Sequence, residues 1–127
     1  MAIAKRVKQG GIIYQGKKIT VDSASGDYPV AIVPSTRACA VNGVSVTPDS
    51  AGLDDYIDIA HVTTTATTGG VVVKQIATGI FNIGGGVTIS LDFGAMQMLD
   101  AGHSIRVTYV NTASVAMPVY ITVESIA

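Results

Sequence analysis

Tryptophan is missing from this 127-residue chain, only two phenylalanines occur, and charged residues make up 13% of it, against about 25% in an ordinary soluble domain. With so few aromatics, any core has to be aliphatic. A single cysteine, Cys39, excludes an intrachain disulfide and a thiolate metal cage, and is expected to pack as a small core residue. The longest run of large aliphatic side chains is Val71-Val72-Val73, far short of the roughly 20 apolar residues a spanning helix needs. The basic start Met1-Ala2-Ile3-Ala4-Lys5-Arg6-Val7-Lys8 is not followed by the apolar stretch of a signal peptide. The expectation is synthesis and retention in a reducing cytosol, or release by lysis.

What is present is apolar and evenly spread. Hydrophobic residues make up 48% and the mean hydropathy is +0.46. Few charges and many Val, Ile, Ala and Thr residues suit surfaces that meet protein, so part of the surface is expected to be buried in an assembly. The net charge of −1 hides an asymmetry. Residues 1–18 carry Lys5, Arg6, Lys8, Lys17 and Lys18 and no acid, while residues 19–127 carry all nine acids against Arg37, Lys74 and Arg106. A basic end on an acidic body predicts an arm, residues 1–11, that meets an acidic surface. Residues 12–127 are expected to form one folded domain.

The hydrophobic pattern has period two. Val87, Ile89, Leu91 and Phe93 alternate with polar residues, and Ile105-Arg106-Val107-Thr108-Tyr109 alternates again. Alternation puts one set of side chains on one buried face, so these two strands are taken as the pair around which the chain is built. They would be joined by a turn-like segment, Gly94 to Gly102, with one helical turn at Met96 and Leu99. Their polar faces (Thr88, Ser90 and Asp92; Ser104, Arg106 and Thr108) are small and mostly uncharged, as able to meet protein as water. Elsewhere, Gly16 predicts a hairpin between Ile12–Tyr14 and Ile19–Val21. Asn42-Gly43 predicts a type I′ turn between two apolar runs. Pro29 and Pro34 confine Val30–Val33 to an edge or make it a very short strand. Tyr56–Val62, Val71–Ile76, Ile80–Ile83 with a break near Gly79, and Val119–Glu124 read as further strands. Thr63–Gly70 reads as an extended or mobile connection, and Gly84-Gly85-Gly86 as a strand turn. Eight to ten short strands at this spacing, with no helix longer than a turn or two, predict an all-β antiparallel sandwich or barrel.

Chemistry is sparse. A Ser or Cys nucleophile needs a His base and an orienting acid, but His61 and His103 lie in no motif and no Gly-x-Ser-x-Gly elbow occurs. Asp58 and His61 would face opposite sides of a strand, which argues against a shared metal ion. The acidic loop from Asp49 to Asp55 fails the twelve-residue calcium-loop pattern and is expected to be solvated. Gly84-Gly85-Gly86 lacks the Lys-Ser/Thr of a phosphate loop. An acidic body argues against nucleic acid. The five tyrosines are ungrouped in sequence, and Tyr109, in phase with Ile105 and Val107, is expected in the core. The expectation is no enzyme, no cofactor and no metal.

The segment Leu99-Asp100-Ala101-Gly102-His103-Ser104-Ile105-Arg106-Val107-Thr108-Tyr109-Val110-Asn111 resembles a strand-entry phrase of viral and tumour-necrosis-factor-like jelly rolls: a Leu, a Gly turn, then an alternating strand ending at Asn. More broadly, the chain resembles the small β-rich decoration (cement) proteins of tailed bacteriophages in size, all-β pattern, Gly/Ala/Val/Thr richness, low charge, near-lack of cysteine and basic N-terminal arm. The resemblance implies a jelly-roll-like β-sandwich and a homotrimer on the capsid surface of a virion. It would be made in the host cytoplasm and hold neighbouring major capsid protein subunits together, without nucleic acid or membrane. Lys5, Arg6 and Lys8 are the residues expected to engage acidic patches on the shell. Alternatives that the residues leave open are a tail or baseplate component, a carbohydrate- or ligand-binding module, and a hydrolase.

Overall fold

The computed structural model describes residues 12–33, 38–48, 55–81, 88–112 and 114–126. Eight strands lie among them: β1 Ile12–Val21, β2 Gly26–Ile32, β3 Cys39–Pro48, β4 Tyr56–Val62, β5 Val72–Phe81, β6 Ile89–Leu99, β7 Ser104–Asn111 and β8 Met117–Ile126. They form two four-stranded antiparallel sheets, β1-β8-β3-β6 and β2-β7-β4-β5. The chain changes sheet at every connection except β4 to β5. That is the order of an eight-stranded jelly roll, two Greek keys wrapped into a sandwich. The expected all-β, jelly-roll-like sandwich is therefore the fold.

The core lies between the sheets and is aliphatic, as the lack of Trp and Phe requires. Ile32, Ile57, Ile59, Leu99, Ile105, Val107, Val119, Ile121 and Val123 are all buried. Burying each such side chain stabilises by about 1.5–3 kcal/mol. Among the described residues Tyr109 is the one aromatic with a fully buried side chain, and its hydroxyl must find a partner there. It donates to Asp55 Oδ2 at 2.7 Å. Asp55 also accepts from the Thr112 amide at 2.8 Å and the Thr112 hydroxyl at 3.0 Å. The acidic loop expected to be solvated thus ends in a wholly buried carboxylate, because three donors from the end of β7 replace its water. The rest of that loop, residues 49–54, lies outside the described residues.

The Gly-centred turns are where the sequence misleads. Gly16 and Asn42-Gly43 sit inside strands, β1 and β3, and neither they nor Asn42 have the positive φ a primed turn needs. Both strands find ten-residue partners. β1 pairs along β8 from Ile12–Ile126 to Val21–Met117, and β3 lies between β8 and β6. Asn42 is instead a bulge: Val41 pairs with Ser125 and Gly43 with Glu124, leaving Asn42 as the extra residue. A glycine is required beside it, since a Cβ at Gly43 would lie 2.7 Å from the Leu91 carbonyl oxygen. The break near Gly79 is likewise a bulge within β5, with Gly79 at φ 63° and its amide donating to Asp58 Oδ1 at 2.8 Å.

The pair taken as the centre of the fold is not a pair. β6 is an edge strand bonded to β3, and β7 sits in the other sheet between β2 and β4. The segment expected as a turn with a helical element continues as strand to Leu99, because Gln97, Met98 and Leu99 pair with Val41, Ala40 and Cys39. Its irregularity is a bulge: from Gly43–Asp92 to Val41–Gln97, two steps on β3 match five on β6. The true turn is short, with Gly102 at φ 84° and the His103 amide donating to the Asp100 carbonyl at 3.1 Å. β2 is an edge strand, one of the two outcomes the prolines allowed, and begins at Gly26, ahead of the expected Val30; β4 spans the expected residues. Residues 1–11, Pro34, Gly84-Gly85-Gly86 and Val87 lie outside the described residues.

Candidate functional site

Three places bring chemistry-bearing side chains together. The first is the outer face of the β1-β8-β3-β6 sheet. Inward Val44, Val46, Ile121 and Val123 leave their strand neighbours outward, and the register aligns these in rows. Glu124, Gly43 and Asp92 form one row, Thr122, Ser45 and Ser90 the next. The Thr47 and Thr88 hydroxyls lie 2.8 Å apart beyond them. The missing side chain at Gly43 and the Asn42 bulge open a groove of about 230 Å³, lined by Asn42, Ser45, Ser90, Asp92, Thr122 and Glu124 among others. Asn42 Nδ2 leans toward Glu124 Oε1 at 3.4 Å. Asn42 Oδ1 is buried with no partner among the described residues, an acceptor waiting for a donor.

The second is the outer face of the β2-β7-β4-β5 sheet, which the chain covers itself. Residues 63–71 fold back over it. The Ser104 hydroxyl donates to the Thr64 carbonyl at 2.6 Å, and Arg106 Nη2 to the Ala66 and Gly69 carbonyls at 3.2 and 2.8 Å. The loop is closed by Thr63 N to Val71 O at 3.0 Å and Val71 N to Thr63 Oγ1 at 2.9 Å. Outward-facing Val62, Ala60 and Ala31 are buried on this face. The Thr-rich connection is therefore a tied cover, and Ser104 and Arg106, expected on a face open to partners, hold it. Thr88, Ser90 and Asp92 remain exposed on the first sheet. Beside the cover, a groove of about 250 Å³ is lined by Asp27, Asp58, Val72, Gln75 and Arg106 among others. Val72 at its edge and its neighbours Val71 and Val73 are each more than half exposed.

The third joins the two sheets. His61 points inward from β4, Gln97 inward from β6, and His103 sits in the β6–β7 turn. Gln97 Nε2 lies 2.9 Å from His61 Nδ1, and His61 Nε2 lies 2.8 Å from His103 Nδ1. With the amide donating to Nδ1, His61 carries its proton on Nε2 and donates to His103. His61 is 3% exposed. Burial pushes its pKa below the usual imidazole value and the charge of His103 adds to that, while Asp100 works the other way. Ser104 spends its hydroxyl on Thr64, away from the imidazoles. Asp58 faces outward and His61 inward, as their spacing predicts. No group of three or more metal-ligating side chains occurs among the described residues.

Of the tyrosines, Tyr109 is in the core as expected. Tyr28 is half-buried and donates to Asp22, which lowers that carboxyl's pKa and raises the phenol's. Tyr120 is 46% exposed, with Lys18 Nζ 5.7 Å from its ring centre. The predicted partner-binding residues Lys5, Arg6 and Lys8 lie outside the described residues. The groove residues Asn42, Gly43 and Glu124 were not foreseen. The signal for them was Asn-Gly without a second turn residue on either side, which fits a bulge as well as a hairpin.

No protein-family model matches the chain, and no curated protein matches it in sequence. Solved structures do resemble it. A capsid chain of cyanophage Pam1 is 14% identical with a TM-score of 0.48, over 91% of this chain and 84% of that one. A mitogen from Yersinia pseudotuberculosis is 11% identical with a TM-score of 0.43, over 91% and 86%. In a subviral particle of infectious bursal disease virus VP2 the values are 9% and 0.44, over 91% of this chain and 32% of that one, about a third of its length. Likeness of this order says nothing about what the chain binds.

Proposed function

We propose that the protein is a structural component of a virus particle that decorates a bacteriophage capsid. It would bind across major capsid protein subunits as a homotrimer and stabilise the shell. The observation that carries this reading is the contrast between the two outer faces. One is partly covered by the chain's own loop, and the other is left largely as rows of Ser, Thr and Gly, with Glu124, Asp92 and Lys18 as its charges, a surface suited to contact area. A cement protein needs many weak contacts over roughly 1,200–2,000 Å², and this face of short polar side chains offers them at low entropic cost. The jelly-roll sandwich supplies the rigid support. Lys5, Arg6 and Lys8 on the arm supply charge for acidic patches on the shell. The test is to delete residues 2–10 and measure binding to undecorated capsids. The fold and trimer are expected to survive while capsid binding weakens, with the intact chain losing the same advantage at high salt. Unchanged capsid binding after the deletion would overturn the role of the arm, and a monomer in solution would overturn the trimer.

A further inference from the structure

Polar side chains cross between the sheets at Gln97, His61 and His103, from β6 to β4 and on to the β6–β7 turn. Each contact holds one hydrogen. Gln97 Nε2 donates to His61 Nδ1 and His61 Nε2 to His103 Nδ1, so both imidazoles are neutral and His103 keeps its own hydrogen on Nε2. A proton added to either ring therefore lands on an Nδ1 that is already accepting. On His103 it sets two N–H groups against each other at 2.8 Å. On His61 it meets the Gln97 amide, which can answer by turning its carbonyl oxygen inward. That is a neutral acceptor for a cation that is 3% exposed and cut off from water.

The groups packed around the pair do not compensate for such a charge. Lys74 is the register partner of His61 on β5 and adds a like charge. β7 sets Ile105 on the other side of His61, and β3 sets Val41 beside Gln97, both uncharged. Asp100, in the turn with His103, attracts a proton to His61, but it is exposed, and burial together with the charge of His103 outweighs it. The strand that the bridge holds has little else to hold it. β6 is an edge strand, and residues 97–99 pair with β3 only beyond the bulge in which five steps match two. The turn after Leu99 is closed by the backbone bond from His103 to Asp100. We propose that Gln97, His61 and His103 form an acid-opened latch between the two sheets. While both imidazoles are neutral, the end of β6 and the turn at residues 100–103 are held to β4. When the pair takes up protons, His103 turns out to water and residues 97–103 loosen, with the rest of the sandwich intact. The latch belongs to the isolated chain and is independent of the capsid reading.

Hydrogen exchange on the full chain at pH 7.5 and pH 5.0, with each rate corrected for the intrinsic effect of pH, tests it. Amides of residues 97–103 are expected to lose protection roughly 10-fold between the two, the order that one linked proton gives per pH unit. Those of β2 and β8 are expected to keep theirs. His61→Gln removes the buried ring and is expected to abolish the loss. Gln97→Glu sets a carboxylate on His61 Nδ1, which answers the charge, and is expected to keep residues 98–103 protected at pH 5.0. A side chain that only filled space would give no such gain in acid. No loss in the natural chain, a loss spread evenly over both sheets, or an undiminished loss at residues 98–103 in either variant would each overturn the proposal.

Discussion

The two outer faces of the sandwich differ although the sheets behind them have the same number of strands. On the β2-β7-β4-β5 sheet, Arg106 Nη2 and the Ser104 hydroxyl donate to the carbonyls of residues 64, 66 and 69, and outward-facing Val62, Ala60 and Ala31 are buried. On the β1-β8-β3-β6 sheet the outward residues include Ser45, Ser90, Thr47, Thr122, Gly43, two carboxylates and Tyr120 with Lys18 beside it, and Ser90, Asp92 and Tyr120 stay exposed. The first face serves stability, and its changes should be felt on unfolding. The second contributes little to stability, and its changes should be felt in association.

The largest effect is expected where the cover is pinned. Arg106→Ala removes two hydrogen bonds from a charged donor and should cost about 2–3 kcal/mol, since bonds of that kind contribute about 1.5–3 kcal/mol. Urea unfolding measures it. Hydrogen exchange should accelerate at residues 63–71 before it does in β7. A loss below about 0.5 kcal/mol, the ordinary size of a surface substitution, would mean that the cover stabilises nothing.

Gly43 is the position where the open face does bear on stability, through backbone spacing. A methyl group there meets the Leu91 carbonyl oxygen at 2.7 Å, between two bonded neighbours that cannot both retreat. Gly43→Ala is expected to cost about 1–3 kcal/mol, the usual range for overpacking, read as a lower urea midpoint. Gly16→Ala, whose added Cβ would be no closer than 3.7 Å to its neighbours, is the control and should be nearly silent.

The strand content, the edge position of β2, the aliphatic core and the burial of Tyr109 were legible because each follows from local pattern: alternation, a proline, a missing residue type. What was not legible was pairing. Asn42-Gly43 and Gly16 carry turn chemistry, yet a ten-residue partner on β8 outweighs it, and partner strands lie far apart in sequence. The same limit made β6 and β7 look like a pair, when the chain crosses between sheets at that turn. The groove escaped notice for this reason too. Asp92, Gly43 and Glu124 become neighbours only once β6, β3 and β8 are side by side.

The histidine bridge gives a smaller effect that both sheets share. His61, with a pKa below its unfolded value near 6.5, binds fewer protons folded than unfolded once the pH falls below that value. Its contribution to stability is therefore full above about pH 6.5 and is lost as the pH drops toward the folded pKa, with a slope of at most about 1.4 kcal/mol per pH unit for one proton. Asp100 opposes the shift and His103 adds to it. Urea midpoints between pH 7.5 and 5 should show the fall in the natural chain and a flatter profile in His61→Gln. Parallel profiles would remove His61 as the cause.

The smallest effect on stability is expected on the open face itself. Ser45 and Ser90 pair across β3 and β6 and line the groove, but their side chains point away from the core. The double change to Ala should move the urea midpoint by no more than the 0.5 kcal/mol or so of an ordinary surface site. If the face meets another protein, the same change should be felt there, since hydroxyls at an interface hold partner groups or bridging water. A double variant as stable as the natural chain but slower to saturate capsids would separate the two faces cleanly. A double variant that lost about 2 kcal/mol of stability would show that both faces serve the fold, and the contrast from which the decoration reading is argued would be gone.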